Sequence, residues 1–223
     1  MLYDETAVRA NIRNRDGKRV FYLRSGDTLT PLARDFLRQE HIEVLPAQEA
    51  KPKGYRLLSG GYTEEKPEHM THLNGDVLVP KTHPRIRVRG MIDSLEAELL
   101  LCGPETGEIL QLARRLIRCD VLDEPVGDFT LYGLTAQQQR QHSHFPQDYY
   151  GIPHFMPDYA DGEQVLQLNR CRSVCRQAEL SAVEAFSDKD GNLTRGDIVQ
   201  ALNRMSSMLY ILMIRRKRTD GKH

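Results

Sequence analysis

The segment from about Thr194 to Arg216 constrains this chain most. Ile198, Ala201, Leu202, Met205, Leu209 and Leu212 recur at helical spacing and leave a helix that is apolar around much of its circumference. Such a helix belongs at the centre of a bundle or at a subunit contact. Asn203-Arg204 and Ser206-Ser207 interrupt it with polar groups that are costly to bury unless they face a partner. A second long helix is marked by Val165, Leu168, Cys171, Val174, Cys175, Ala178, Ala182, Val183 and Phe186. Met91, Ile92, Leu95, Leu99 and Leu100 suit a buried helix ended by Gly103-Pro104. Ile109, Leu112, Ala113, Leu116 and Ile117 repeat the pattern, and Thr135-Ala-Gln-Gln138 has the capping-box form that opens a short helix. The prediction is a mainly α protein, a helical bundle of about five helices.

A small N-terminal α/β appendage precedes the bundle. Arg19-Val-Phe-Tyr-Leu23 reads as a strand, Asp27 or Thr28 as the cap of a helix carrying Leu32, Ala33, Phe36 and Leu37, and Ile42-Glu-Val-Leu45 as a second strand. The domain reading is 1–46 for this unit, 47–61 for a linker, 62–218 for the bundle and 219–223 for a tail. Pro67, Pro80 and Pro84 exclude a long helix over 55–89, which reads as loop-rich. Residues 141–162, rich in His, Pro, Tyr and Gly, read as a loop crossing a surface or a site.

Lys+Arg and Asp+Glu both number 31, which argues against a globally basic nucleic-acid binder. No window reaches the roughly 18–20 apolar residues of a membrane span. Cys102, Cys119, Cys171 and Cys175 form no C-x-x-C pair, so free thiols in a reduced cytosolic protein are expected. The basic run Arg215–Arg218 reads as a solvated tail. Asp188-Lys-Asp-Gly-Asn192 lacks the glycine and glutamate positions of a calcium loop and reads as a turn between helices.

The chemistry concentrates in Cys171-Arg-Ser-Val-Cys-Arg-Gln-Ala-Glu179. Arg172, Arg176 and Glu179 lie at i, i+4 and i+7 and share one helix face. Two guanidiniums and a carboxylate so placed can hold a polyphosphate with its magnesium ion, or form an ordinary surface salt bridge.

These residues carry a resemblance. CRSVCRQAE resembles the C-R-x-V-C-R-R-A-E-R helix of the larger ATP:corrinoid adenosyltransferase family, and ALNRMSSMLY resembles its L-N-R-L-S-D-x-L-F helix. Gly90-Met-Ile-Asp-Ser-Leu95 is similar to its G-x-x-D-E-L, and Lys81-Thr-His-Pro-Arg85 to its K-x-x-P-R. Tyr62-Thr63, Thr71 and Leu73 fall at the spacing of its phosphate loop. Thr71-His-Leu, Ala113 to Asp120, Val121-Leu-Asp-Glu-Pro125, Asp197 to Ser207 and Leu29-Thr-Pro-Leu-Ala-Arg34 resemble the ethanolamine-utilisation branch. The resemblance implies an enzyme that moves the 5′-deoxyadenosyl group of ATP to Co(I) of cobalamin, with Mg2+, to supply ethanolamine ammonia-lyase. It implies Arg172 and Arg176 on the triphosphate, Glu179 on magnesium or nucleotide, and Thr63, Thr71, Lys81 and Asn203 on ATP. It further implies Asp93 paired with Arg172 across a subunit contact, and Phe155 and Met156 of His154-Phe-Met-Pro157 against the corrinoid. A homo-oligomer, trimeric as in relatives, a reductase partner and a cytoplasmic or microcompartment setting follow from the same resemblance.

The chain departs from the family pattern in places. Lys66-Pro67 replaces Gly-Asp in the phosphate loop and His69 its second Gly; Gln177 and Leu180 replace arginines; Ser207 replaces Asp. Proline offers no amide to a phosphate. Residues 47–70 lack the cysteines with which some relatives bind a transition metal. His69 with His72, or His142 with His144, are the remaining candidate ligands. A non-catalytic corrinoid-delivery paralogue and a microcompartment interaction protein are the alternatives.

Overall fold

A computed structural model describes residues 1–15, 18–46 and 54–220. The chain divides into two compact units, Met1–Gly54 and Tyr55–His223. Residues 47–53 of the expected linker and 221–223 of the expected tail lie outside the described residues.

The first unit contains β1 (Leu2–Tyr3), α1 (Glu5–Ala10), β2 (Arg13–Arg15), β3 (Lys18–Leu23), β4 (Thr28–Leu29), α2 (Pro31–Gln39) and β5 (Glu43–Pro46). β3 is the middle strand of three, antiparallel to β2 and parallel to β5. Val8, Phe21, Leu29, Ala33, Phe36, Leu37 and Ile42 form its core. The cap of α2 is Thr30 rather than Asp27 or Thr28. Its hydroxyl accepts from Ala33 N–H at 3.3 Å, and Pro31 fills the first helical position, where no amide is needed. Leu32, expected in the apolar stripe, lies at its edge in the first turn and is 71% exposed.

The second unit opens with a sheet that periodicity did not reveal. β6 (Tyr55–Leu57), β7 (Tyr62–Thr63), β8 (Met70–Asn74) and β9 (Val77–Pro80) pair in the order β7-β6-β9-β8. The strands are too short for a clean alternation, and β8 carries an irregularity between His72 and Asn74. Tyr55–Leu57, read as part of the linker, is thus a paired strand. Pro84, read as excluding a helix, is the first residue of α3 (Pro84–Cys102). At that position proline's fixed φ favours the helix.

α4 (Gly107–Leu122), β10 (Thr130–Leu131), β11 (Leu134–Thr135), α5 (Ala136–His144), α6 (Pro146–Tyr150), α7 (Glu163–Phe186) and α8 (Gly196–Asp220) complete the unit. The short α6 adds a helix where the sequence suggested only loop. α7 packs along both α3 and α8, α4 against α3, and α5 and α6 against α8. Ile198, Ala201, Leu202, Met205, Met208, Leu209, Ile211, Met213 and Ile214 of α8 are all essentially inaccessible, so it is the central helix. Each such Leu or Met contributes about 1.5–3 kcal/mol by leaving water. Leu100 and Val183, expected in the core, are 60% and 38% exposed. Each sits one residue beyond the buried stripe of its helix.

The capping box at Thr135 and Gln138 is present, and Gly103, at φ 118°, ends α3. The segment around Asp188 is a tight turn. Asp188 accepts from the amides of Asp190 and Asn192, and these bonds, led by the Asn192 amide, hold its carboxyl below the usual range. The four cysteines are buried free thiols. No helix among the described residues is long and apolar enough to cross a membrane.

Candidate active site

A cleft of about 800 Å3 opens between α7, α8, the end of α5 and the loop that precedes α7. Two faces meet there. From α7 come Asn169, Arg172, Ser173 and Arg176, and from α8 come Asn203, Ser206, Ser207, Tyr210 and Met213. His154, Phe155, Met156 and Pro157 of the loop form the apolar end. The polar interruption of an apolar helix therefore has a structural reason: of its four residues, Asn203, Ser206 and Ser207 face the cleft.

Arg172 is half-buried and Arg176 exposed on the same face of α7. Among the described residues neither has a carboxylate within ion-pair distance. Burial first, then the charge of Arg176, holds the Arg172 guanidinium below its usual value. Two like charges held together without a counter-charge favour an anionic ligand. The Arg172 guanidinium also lies 5.4 Å from the centroid of the Tyr210 ring.

Glu179 stands one turn beyond Arg176 and does not line the cleft. It accepts from Asn203 Nδ2 at 2.7 Å, while Asn203 Oδ1 accepts from Arg204. These two bonds fix the orientation of the Asn203 amide. Arg204 Nε is buried without a hydrogen-bond partner. Burial first, then the charge of Arg140, lowers the Arg204 value.

The loop is fastened to α8 at two points two turns apart. Phe155 N–H donates to Tyr210 Oη at 3.1 Å, and Lys217 pairs with Asp161 while its Nζ lies 4.6 Å from the Phe155 ring centroid. Phe155 is half-buried, whereas Met156 is 90% exposed at the cleft mouth.

The structure thus brings together Arg172, Arg176, Asn203, Phe155 and Met156, with Glu179 behind them. It does not bring Asp93, Thr63, Thr71 or Lys81 to the same cleft. Asp93 is exposed on α3. Thr63 ends β7 and donates to Glu65 O at 2.7 Å, Thr71 lies in β8, and Lys81 follows β9 with its Nζ 3.8 Å from Glu68. Sequence reasoning missed Tyr210 and Lys217. Their signal was the seven-residue recurrence Asn203, Tyr210, Lys217, which places all three on one face of α8.

Among the described residues no three His, Cys, Asp or Glu side chains cluster as a metal site. His72 packs edge-on to Tyr55, and His142 stacks on Tyr149 with its Nδ1 2.8 Å from Tyr150 Oη.

A family model described as cobalamin adenosyltransferase matches residues 61–216, which include every residue of the cleft. The corrinoid adenosyltransferase EutT of Salmonella typhimurium (strain LT2) is 30% identical, over 94% of this chain and 90% of that protein. Its namesake from Escherichia coli (strain K12) is 28% identical over the same shares. The chain belongs to the cobalamin adenosyltransferase family.

Proposed function

We propose that this chain is an ATP-dependent corrinoid adenosyltransferase that makes adenosylcobalamin for ethanolamine ammonia-lyase. The observation that carries the proposal is the pair Arg172 and Arg176, without a carboxylate partner among the described residues, in a cleft that Phe155, Met156 and Pro157 also line. A triphosphate suits the guanidiniums and a corrin ring the apolar side chains.

In this reading Co(I) of the reduced corrinoid is the nucleophile. Its electron pair forms the bond to C5′ of ATP, and the C5′–O bond breaks with its own electron pair leaving on the triphosphate oxygen. No side chain is needed as a base. The protein supplies alignment and stabilises charge on the leaving group. Arg172 and Arg176 hold the triphosphate, and Asn203, fixed by Glu179 and Arg204, orients the nucleotide. Magnesium fits as an ion carried by ATP. Such ions need only one or two protein carboxylates, and Glu179 is the one at hand.

Asp93, Thr63, Thr71 and Lys81 do not line the cleft of their own chain. We assign them to the cleft of a second copy, in a homo-oligomer with a trimer favoured. Asp93 there meets Arg172, and Thr63, Thr71 and Lys81 meet the phosphates. A reductase supplies the electrons, and the setting is cytoplasmic or a bacterial microcompartment.

The test is direct. Purified protein with ATP, magnesium and chemically reduced cobalamin forms a light-sensitive Co–C bond, followed by its absorption spectrum. A rate equal to the enzyme-free control overturns the proposal; bound but unconverted corrinoid identifies a carrier instead.

Phe155 is expected to act before transfer. Co(II) corrinoids are hard to reduce while an axial ligand stays bound, and an apolar wall displaces it. Phe155→Ala loses about tenfold or more in turnover from Co(II) with a weak reductant, and much less from preformed Co(I). Equal losses by both routes would reduce Phe155 to a general binding or folding role.

A further inference from the structure

His154 is an unexpected residue for the apolar end of the cleft. It is exposed and lines the same wall as Phe155. An imidazole with a free lone pair is a good ligand for a transition metal such as cobalt. A protein nitrogen on the metal would undo the work of an apolar wall.

Both ring nitrogens are occupied, however. His154 Nε2 lies 2.9 Å from His144 O. A carbonyl oxygen only accepts, so in the neutral ring Nε2 carries the proton and Nδ1 the lone pair. That lone pair faces Tyr210 Oη at 3.2 Å, and the hydroxyl, whose other acceptor, Phe155 O, lies farther off at 3.5 Å, donates to it. The same hydroxyl accepts from Phe155 N–H at 3.1 Å. The His154 and Tyr210 rings stack with centroids 5.7 Å apart and 13° between planes. Tyr210 itself is 8% exposed and anchored in the central helix, so the latch is rigid.

We propose that Tyr210 is a positioning residue that keeps His154 from ligating the cobalt of the bound corrinoid. One hydroxyl ties up the Nδ1 lone pair and fixes the backbone of Phe155. His154 thereby presents a ring face to the cleft. The inference rests on the reading of the cleft as a corrinoid site. It adds the residue that makes a histidine compatible with that wall.

The experiment uses the full-length protein with ATP, magnesium and cob(II)inamide, a corrinoid without a lower base. Any axial nitrogen seen by electron paramagnetic resonance must then come from the protein. The wild type is expected to show no nitrogen superhyperfine splitting. Tyr210→Phe keeps the ring and removes the hydroxyl; its spectrum gains the triplet splitting of one nitrogen. In Tyr210→Phe with His154→Phe the splitting disappears. Tyr210→Phe also loses about tenfold in turnover from Co(II) with a weak reductant, and a smaller factor from Co(I). Nitrogen splitting in the wild type, its absence in Tyr210→Phe, or its persistence in the double variant overturns the proposal. Should Tyr210→Phe not fold, ring nitrogen-15 spectra of the wild type decide: a protonated Nδ1 overturns the proposal and an unprotonated, hydrogen-bonded one upholds it. Wild type that does not bind cob(II)inamide overturns the corrinoid reading as well. Wild type that binds it, beside a nitrogen-free Tyr210→Phe, overturns only the role of Tyr210.

Discussion

Arg176→Ala is expected to lose about 10- to 150-fold in turnover, from Co(II) and from preformed Co(I) alike, with weaker ATP binding. That range corresponds to the roughly 1.5–3 kcal/mol of a charge-assisted contact. The reason is local. Among the described residues Arg176 has no ion pair, so its removal breaks none of theirs. It also relieves repulsion on Arg172, one turn away, whose value is already lowered by burial and by the Arg176 charge. The unfolding midpoint of Arg176→Ala therefore stays level or rises slightly while activity falls. Arg176→Lys restores the charge but not the two-pronged geometry, and recovers activity only in part. Steady-state rates by both routes, ATP titration and a thermal melt check this. Wild-type turnover in Arg176→Ala would return the residue to the solvated face of an ordinary helix.

The helical content was readable because the packing is carried by long periodic stripes. α8 announces its central place through nine inaccessible apolar side chains, and α7 through Cys171, Cys175, Ala178 and Ala182. The arginine face of α7 and the polar interruption of α8 could be placed on helix faces from spacing alone. Their convergence into one cleft could not, since that depends on how α7 and α8 pack. The four-stranded sheet escaped notice for a physical reason. Its strands are two to five residues long, shorter than the window over which alternation can be counted. Pro84 misled because the same ring that breaks a helix interior also starts one.

Tyr210 and Lys217 were hidden differently. Both sit in helix α8, where an aromatic reads as core and a lysine as tail. Only the loop that folds back over them shows that the tyrosine hydroxyl holds His154 and Phe155 and that Lys217 holds Asp161. Lys217, read as part of a solvated basic run, is accordingly only partly exposed.

Asp120→Ala is expected to cost about 3–5 kcal/mol of stability, the range for stripping one partner from a buried ion-pair network. Asp120 is 3% exposed near the end of α4. Its Oδ1 accepts from Arg85 Nε at 2.8 Å, its Oδ2 from Arg89 Nε at 2.6 Å, and its backbone carbonyl from Arg85 Nη2 at 2.7 Å. Arg89 continues to Leu73 O at 2.8 Å, so one carboxylate joins α4, α3 and β8. The alanine variant leaves two guanidiniums, with side chains 18% and 13% exposed, and among the described residues only the exposed Asp123, whose Oδ1 lies 3.6 Å from Arg85 Nη2, as a counter-charge. For a chain of this size the loss corresponds to a fall of about 10 °C in the unfolding midpoint. Denaturant titration gives the free energy directly, and a loss below about 1 kcal/mol would show that water or a neighbour replaces the carboxylate. The two arginine pairs then separate by experiment. Arg85, in the block that resembles K-x-x-P-R, and Arg89 behave as structural cations because Asp120 neutralises them. Among the described residues Arg172 and Arg176 have no such carboxylate, and in the proposed reading the ligand, with Asp93 of a second copy at Arg172, supplies the charge that completes them.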